Sequence, residues 1–244
     1  MRESLVIFRR ELKSYFHSPI AYVFGVLLTV VLLFLSVSMS LVDGAQASMQ
    51  SFFGVLPVVF ILFLPGLTMR LWAEERKMGT LELLMTFPVR LSHLVLGKFG
   101  AAVVFLGFLL VMTLGLPMTL GAYGRVDWPP ILGAYLASLL FAGSFVAVGM
   151  FWSSMTRDQI VAMLLSLVSL LLLYVLGYPT LIEALTGWMP AWLVDLCNGI
   201  SPYKYFESIG RGVLDTRDLV YFACFCGFFL YANALVLHHR RLKG

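Results

Sequence analysis

Residues Ile20–Leu41 read IAYVFGVLLTVVLLFLSVSMSL, and none of these 22 residues carries a charge. A helix needs about 20 apolar residues to cross the hydrocarbon core of a bilayer. This run therefore predicts a transmembrane helix. Ala45-Gln46-Ala47 resembles a signal-peptidase site, but the apolar region of a signal peptide has only about 7–15 residues, so we expect the helix to be retained.

Five further apolar runs predict an all-α integral membrane protein with six transmembrane helices. The predicted spans are Ile20–Leu41, Phe52–Met69, Phe99–Tyr123, Ile131–Trp152, Ile160–Gly177 and Leu219–Leu237, and none contains Asp, Glu, Lys, Arg or His. Of the 244 residues, 60% are hydrophobic and 12% are charged, against roughly 25% charged in a soluble domain. A soluble domain of this size cannot hide so much apolar surface. We treat residues 1–244 as a single transmembrane domain.

The distribution of basic residues predicts the orientation in the membrane. With the N-terminus inside, 13 of the 17 Lys and Arg residues lie in inner segments and 4 lie in outer segments. Basic residues favour the cytoplasmic side, so we expect both termini to be cytoplasmic. The net charge of +4 follows this topology, and no basic cluster with interleaved aromatic residues indicates nucleic-acid binding.

Residues 1–18 predict an amphipathic helix on the inner membrane surface. Apolar residues recur at three- and four-residue spacing, opposite basic residues: Leu5, Phe8, Leu12 and Tyr15 on one side, and Arg9, Arg10 and Lys13 on the other. This pattern is typical of a helix that lies in the plane of the membrane interface.

The inner segment 70–98 reads RLWAEERKMGTLELLMTFPVRLSHLVLGK. Gly79 is expected to end one helix, and Thr80 can cap the next, in which Glu82 adds negative charge to the first turn. Pro88 then ends this second helix. The segment therefore predicts a helix of about two turns held between the second and third spans.

The outer segment 178–218 is long and amphipathic. Ser201-Pro202 predicts a helix start, because a capping residue precedes Pro at the first helical position. The apolar residues that follow repeat with helical spacing: Phe206, Ile209, Val213 and Leu214. Asp215 can then cap the sixth span. We expect two short helices that pack against the outer leaflet or dip into it.

The spans lack the residues that ion-coupled transport or catalysis requires. Ion-coupled carriers place ionisable side chains inside the membrane. A membrane enzyme needs a nucleophile with a base, or a metal cluster, and Ser138, Ser144 and Ser166 have no His or carboxylate nearby in sequence. No pair of histidines has helical metal spacing, and Gly97-Lys98 does not belong to a phosphate loop. We therefore predict no catalytic residue, no metal site and no nucleotide hydrolysis by this chain.

Residues Ala73–Val89, AEERKMGTLELLMTFPV, resemble the cytoplasmic motif of ABC-2-type transporter permeases. The continuation to VLGKF, the later RDQIVA and the stretch ISPYKYFESIGRGVLDTRDLVYF are similar to the gliding-motility-type branch of that family. The resemblance covers essentially the whole chain. No single piece is specific, but their order and spacing together are.

The resemblance implies a permease subunit that is not catalytic by itself. In the family, two permeases assemble over two separate ATPase chains, which bind ATP and Mg²⁺, and the helix between spans two and three seats in the ATPase. On this sequence the ATPase-coupling seat would comprise Glu74, Glu75, Arg76, Gly79, Thr80, Glu82, Leu83 and Leu84. The outer helices would cap the translocation path, with an outer-loop gate at Tyr203, Phe206, Glu207 and Arg211.

The resemblance also implies a multi-pass protein of the bacterial cytoplasmic membrane and a second permease. We favour another copy of this chain and keep a different permease open, because small residues such as Gly143, Ser144, Ala147 and Gly149 suit contacts within or between chains. Gliding-type members are often encoded with an accessory membrane subunit that has a large outer domain. The alternative function is an ATP-independent channel or secondary carrier, which the charge-free spans disfavour.

Overall fold

The computed structural model describes residues 2–42, 49–81, 91–123, 128–186, 190–210 and 215–241, which leaves Ala45-Gln46-Ala47 outside. Twelve α-helices have their bounds within these ranges, and no residue in them is in a strand. They are α1 Arg2–His17, α2 Pro19–Val42, α3 Gln50–Thr68, α4 Arg70–Lys77, α5 Leu91–Met112, α6 Gly115–Tyr123, α7 Trp128–Met155, α8 Gln159–Val175, α9 Pro179–Thr186, α10 Ala191–Ile200, α11 Pro202–Gly210 and α12 Thr216–Arg241.

The helices confirm an α-helical integral membrane architecture. Five helical stretches in the described ranges are long and apolar enough to cross a membrane: α2, α3 with α4, α5 with α6, α7, and α12. The predicted fifth span, Ile160–Gly177, corresponds to α8, which has 17 residues. That length lies at the lower end of the roughly 17–25 residues that can cross a bilayer. The count of six spans therefore stays a prediction.

Helix α7 forms the centre of the bundle, where it packs against α3, α4, α5, α8, α11 and α12. Every residue from Phe141 to Met150 is buried by the chain's own helices. At Gly149 helix α7 packs closely against Thr68 of α3, because an added Cβ would clash with the Thr68 side chain. The small residues of this span therefore pack the bundle of one chain.

The predicted third span, Phe99–Tyr123, is divided between α5 and α6. A proline ring inside a helix clashes with the carbonyl group four residues earlier, which for Pro117 is that of Thr113. The chain turns there: Thr113 N–H donates to Leu110 O at 3.0 Å, and Leu114 N–H donates to Val111 O at 3.1 Å. These bonds span three residues instead of four and close the end of α5 tightly.

Helix α1 confirms the predicted N-terminal helix, and its apolar face packs on α5. Tyr15 stacks on Phe105 with ring centroids 5.1 Å apart, and Phe16 meets the same ring edge-on at 5.6 Å. Aromatic pairs at such distances add stability beyond the area that they bury. Part of the apolar face of α1 is therefore covered by protein.

The described part of segment 178–218 contains three short helices, α9, α10 and α11, whereas we expected two. The reason is that Pro179, Pro190 and Pro202 each stand at a helix start, as the first residue or as the N-cap. Two capping predictions are confirmed: Ser201 Oγ accepts from Tyr203 N–H at 3.3 Å, and Asp215 Oδ1 accepts from Arg217 N–H at 3.0 Å. Helix α11 packs on α7, α8 and α12, and it buries Phe206 and Ile209. Val213 and Leu214 lie outside the described residues.

Candidate functional site

Helix α4 follows α3 after a turn at Met69, and one serine of α7 fixes its start. Ser153 Oγ accepts from Trp72 N–H at 3.1 Å and from Ala73 N–H at 3.2 Å. The same hydroxyl donates to Met69 O at 2.8 Å. The first N–H groups of a helix have no partner within it, so this buried serine completes the hydrogen bonding of the first turn of α4. The position of α4 is thereby tied to the central helix.

A buried lysine links α4 to two further helices. Lys98 of α5 donates from Nζ to Glu75 Oε1 of α4 at 2.8 Å and to Glu11 Oε1 of α1 at 3.1 Å. The ammonium group also lies 5.1 Å from the ring centroid of Trp72. The Lys98 side chain is only 3% exposed. Charges this deeply buried are tolerated because they are paired and hydrogen-bonded.

The carboxylates outnumber the ammonium group in this cluster, which we call the lysine cluster: Glu11, Glu75 and Lys98. Glu75 Oε2 is buried without a hydrogen-bond partner among the described residues, as is the hydroxyl of Tyr15. Burial raises the pKa of Tyr15 further above physiological pH, so the phenol adds no charge to the cluster. The cluster and Tyr15 line a cavity of about 250 Å³, together with Arg10 and Glu74. The end of the bundle that carries α4 therefore contains a polar pocket between α1, α4 and α5.

Two of the predicted coupling residues form ion pairs within the chain. Glu74 accepts two hydrogen bonds from Arg70, each at 2.7 Å, and Arg70 also lies 3.4 Å from Ser18 Oγ. Glu75 points to Lys98 inside the bundle. A bidentate carboxylate–guanidinium pair fixes geometry as well as charge. Glu75 therefore ties α4 to the bundle, whereas Glu74 pairs within α4 and orients Arg70.

The remaining predicted coupling residues lie at and beyond the end of α4. Arg76 Nη1 donates to Ser154 O at 3.4 Å. Gly79 has a φ of 71°, a left-handed conformation that favours glycine and that reverses the chain at helix ends. Thr80 Oγ1 donates to Glu75 O at 3.2 Å, and Thr80 is the first residue of the next helical turn. Three predicted seat residues lie outside the described part of the chain: Glu82, Leu83 and Leu84.

The predicted outer-gate residues lie at the other ends of α3 and α7. Tyr203, Phe206 and Glu207 of α11 line a cavity of about 430 Å³, which the starts of α3 and α7 complete. The ring of Phe206 also meets Phe141 of α7, with centroids 4.9 Å apart. Arg211 lies outside the described residues. The structure therefore brings three of the four predicted gate residues to one cavity.

Sequence reasoning missed the residues that fix α4 to the bundle, namely Glu11, Lys98, Trp72 and Ser153. From the sequence, Lys98 is predicted only as one of the charges of the inner segment 70–98. The sequence does contain a signal for the burial of Lys98, because four uncharged residues, Leu94 to Gly97, precede it in the same helix. Lys98 therefore lies within the bundle and not before the span. No comparable signal exists for Ser153, because its partners lie 80 and 81 residues away.

A family model described as ABC-2 family transporter protein matches residues 5–209. The matched range includes α4, the lysine cluster and the described gate residues. Comparison with curated proteins gives no match.

Proposed function

The chain belongs to the ABC-2 family of transporter proteins and is a membrane subunit of an ABC transporter, and from this premise we propose that it converts ATP hydrolysis by a separate ATPase subunit into helix movement. The segment 70–98 receives the closing motion of the ATPase. Glu82, Leu83 and Leu84, with Gly79 and Thr80, supply the contact, whereas Glu75 holds α4 to the bundle and Glu74 pairs with Arg70 within α4. This division of roles refines the seat that the family motif implies.

The observation that carries this proposal is the attachment of α4. Ser153 joins its first turn to α7, and Lys98 joins its middle to α1 and α5. A short helix held at both points moves with its surroundings as a rigid body, whereas a free loop would absorb a push. Force applied just beyond α4 is therefore passed to the central helix.

We further propose the setting in which this coupling operates. Two copies of the chain pair with two ATPase chains that bind ATP and Mg²⁺, in the bacterial cytoplasmic membrane with both termini inside. The cycle drives export or conformational work, and the cavity at Tyr203, Phe206 and Glu207 forms the outer gate. Pairing with a different permease, and an accessory subunit of the gliding-motility type, are the alternative assemblies. Native mass spectrometry of the complex from gentle detergent counts the copies, and an active complex with a single permease contradicts the two-halves arrangement.

The orientation is tested with single cysteines at Thr86 and Thr186 in a cysteine-free background. An impermeant maleimide added to intact cells is expected to label position 186 and not position 86, because segment 70–98 is assigned to the cytoplasm. Labelling at 86 without labelling at 186 would invert the topology.

The coupling proposal is tested with two substitutions in the contact region. Glu82→Lys reverses a charge, and Leu83→Asp introduces one where an apolar contact is proposed. We expect normal membrane insertion but loss of ATPase co-purification or of stimulated ATP turnover. Glu183→Lys, an exposed charge reversal on α9, is the matched control and is expected to behave like the wild type. Wild-type recruitment and turnover for both coupling variants would remove the proposed seat.

The alternative, an ATP-independent channel or secondary carrier, predicts a different result. The purified chain alone would then conduct ions or solutes in liposomes without nucleotide or ATPase. We expect no such flux, because the predicted spans provide no ionisable side chain to carry an ion. Flux through the chain alone would favour the carrier.

A further inference from the structure

Three arginines from different elements meet at the C-terminal end of α7. Arg240 of α12 donates from Nη2 to Met155 O at 2.8 Å, and Arg76 of α4 donates to Ser154 O at 3.4 Å. Arg157 lies two residues beyond α7, and it is close enough to repel the other two guanidinium groups. We call these three residues the arginine cluster.

The positive charge of the arginine cluster exceeds what its surroundings compensate. The C-terminal end of a helix is equivalent to roughly half a negative charge, against three guanidinium groups. The nearest carboxylate in sequence, Asp158, caps α8 by accepting from Ile160 N–H at 2.8 Å. Within the described ranges, no ion pair joins the arginine cluster to a carboxylate. The cluster therefore attracts an anion.

Exposed apolar side chains begin directly beside the arginine cluster. On α8, Ile160, Leu164 and Val168 recur every four residues and so lie on one face, with exposed fractions of 64%, 52% and 51%. The first of them is three residues from Arg157. Helix α12, which ends beside the cluster, exposes a second set of large apolar residues: Phe228, Tyr231 and Leu235. Helix α8 begins two residues after Arg157 and α12 ends at Arg241, so both apolar helices extend from the end of α7 that carries the arginine cluster.

We propose that Arg76, Arg157 and Arg240 bind the phosphate of an anionic phospholipid, whose acyl chains lie along the exposed surfaces of α8 and α12. Guanidinium groups suit this ligand because their paired N–H donors match the geometry of phosphate oxygens. Basic sites at the inner ends of transmembrane helices attract anionic headgroups. The apolar surfaces favour a lipid over an acidic protein surface, which has no acyl chain to place there. One of the three residues, Arg76, also belongs to the predicted coupling seat, so the test substitutes Arg157, which does not.

The test uses the full-length chain in nanodiscs with equal amounts of phosphatidylglycerol and phosphatidylcholine. Native mass spectrometry then counts the lipids that remain bound. The wild type is expected to retain phosphatidylglycerol preferentially, and Arg157→Gln is expected to lower that retention about fivefold, the contribution of one basic residue near an anionic headgroup. Arg157 is the informative position because, unlike Arg76 and Arg240, it makes no described hydrogen bond to α7.

The matched control is Arg217→Gln, an exposed arginine near the start of α12, which is expected to retain phosphatidylglycerol like the wild type. Equal retention by Arg157→Gln and the wild type would overturn the proposal. Release of the lipid by excess inorganic phosphate would mean that the site recognises a free anion. Loss of ATPase co-purification in Arg157→Gln with unchanged lipid retention would assign the cluster to a protein contact and also overturn the lipid site.

Discussion

Two neighbouring residues of α4 experience opposite electrostatic interactions, because Glu75 is attracted by a buried cation and Arg76 is repelled by two other cations. On the inward face, Glu75 pairs with buried Lys98, and the backbone bonds to Ser153. Arg76, the next residue, faces Arg157 and Arg240 without a described carboxylate. Successive residues of a helix are separated by about 100°, so neighbours in one motif point to different environments. The comparison shows that a motif read as one contact surface contains residues that hold the helix and residues that present charge.

The largest loss of stability is expected from removing Lys98, the buried cation of the lysine cluster. Lys98→Met removes the only ammonium group of the lysine cluster and leaves Glu11 and Glu75 as unpaired, largely buried carboxylates. Removing one partner of a buried pair costs about 3–5 kcal/mol. We expect a loss of this size in the free energy of unfolding, measured by titration with sodium dodecyl sulfate in mixed micelles.

A second substitution distinguishes lost pairing from poor packing of methionine. Adding Glu75→Gln to Lys98→Met removes one of the two unpaired carboxylates, so the double variant is expected to regain part of the lost stability. The free-energy cost of Glu75→Gln is measured both in the wild type and in Lys98→Met. If the two costs are equal, Lys98 and Glu75 do not interact, and the ion pair does not hold α4 to α5.

A smaller effect is expected at the start of α4. Ser153→Ala removes the acceptor of two buried N–H groups, at Trp72 and Ala73, and should cost about 2 kcal/mol. Ser144→Ala is the control in the same helix, because among the described residues the Ser144 hydroxyl bonds only to Phe141 O of α7 itself. It should cost less than about 0.5 kcal/mol, since the main-chain carbonyl keeps its helical position. Equal losses for the two variants in the same titration would mean that Ser153 does not tie α4 to α7.

The smallest change in stability is expected at Arg76. Arg76→Gln removes one charge from a cluster of like charges and one long hydrogen bond, at 3.4 Å, to Ser154 O. The change in the free energy of unfolding should stay below about 0.5 kcal/mol, because relief of repulsion offsets the lost bond. Detergent titration at low and high salt checks this. A loss of stability as large as that of Ser153→Ala would show that Arg76 also holds α4 in place.

The sequence by itself determined the features that depend on local composition. Runs of about 20 apolar residues require lipid as their solvent, so the membrane class was predictable without any contact. Local hydrogen bonds were equally accessible: Ser201 and Asp215 bond to N–H groups two residues later, and both caps were predicted. The segment 70–98 was identified from its motif, because residue order alone carries that resemblance.

Only the tertiary structure decided how these local features are used. The apolar runs of α7 and α12 look alike in sequence, yet α7 is buried by its neighbours and α12 is mostly exposed within the chain. Likewise, the sequence predicts Lys98 only as a charge that indicates membrane orientation. The structure shows that it bonds to Glu11, 87 residues away. Burial and ion pairing depend on which helices become neighbours. Which helices become neighbours is determined by close contacts such as that between Gly149 and Thr68. These two residues are far apart in the chain, so no local sequence pattern predicts their contact.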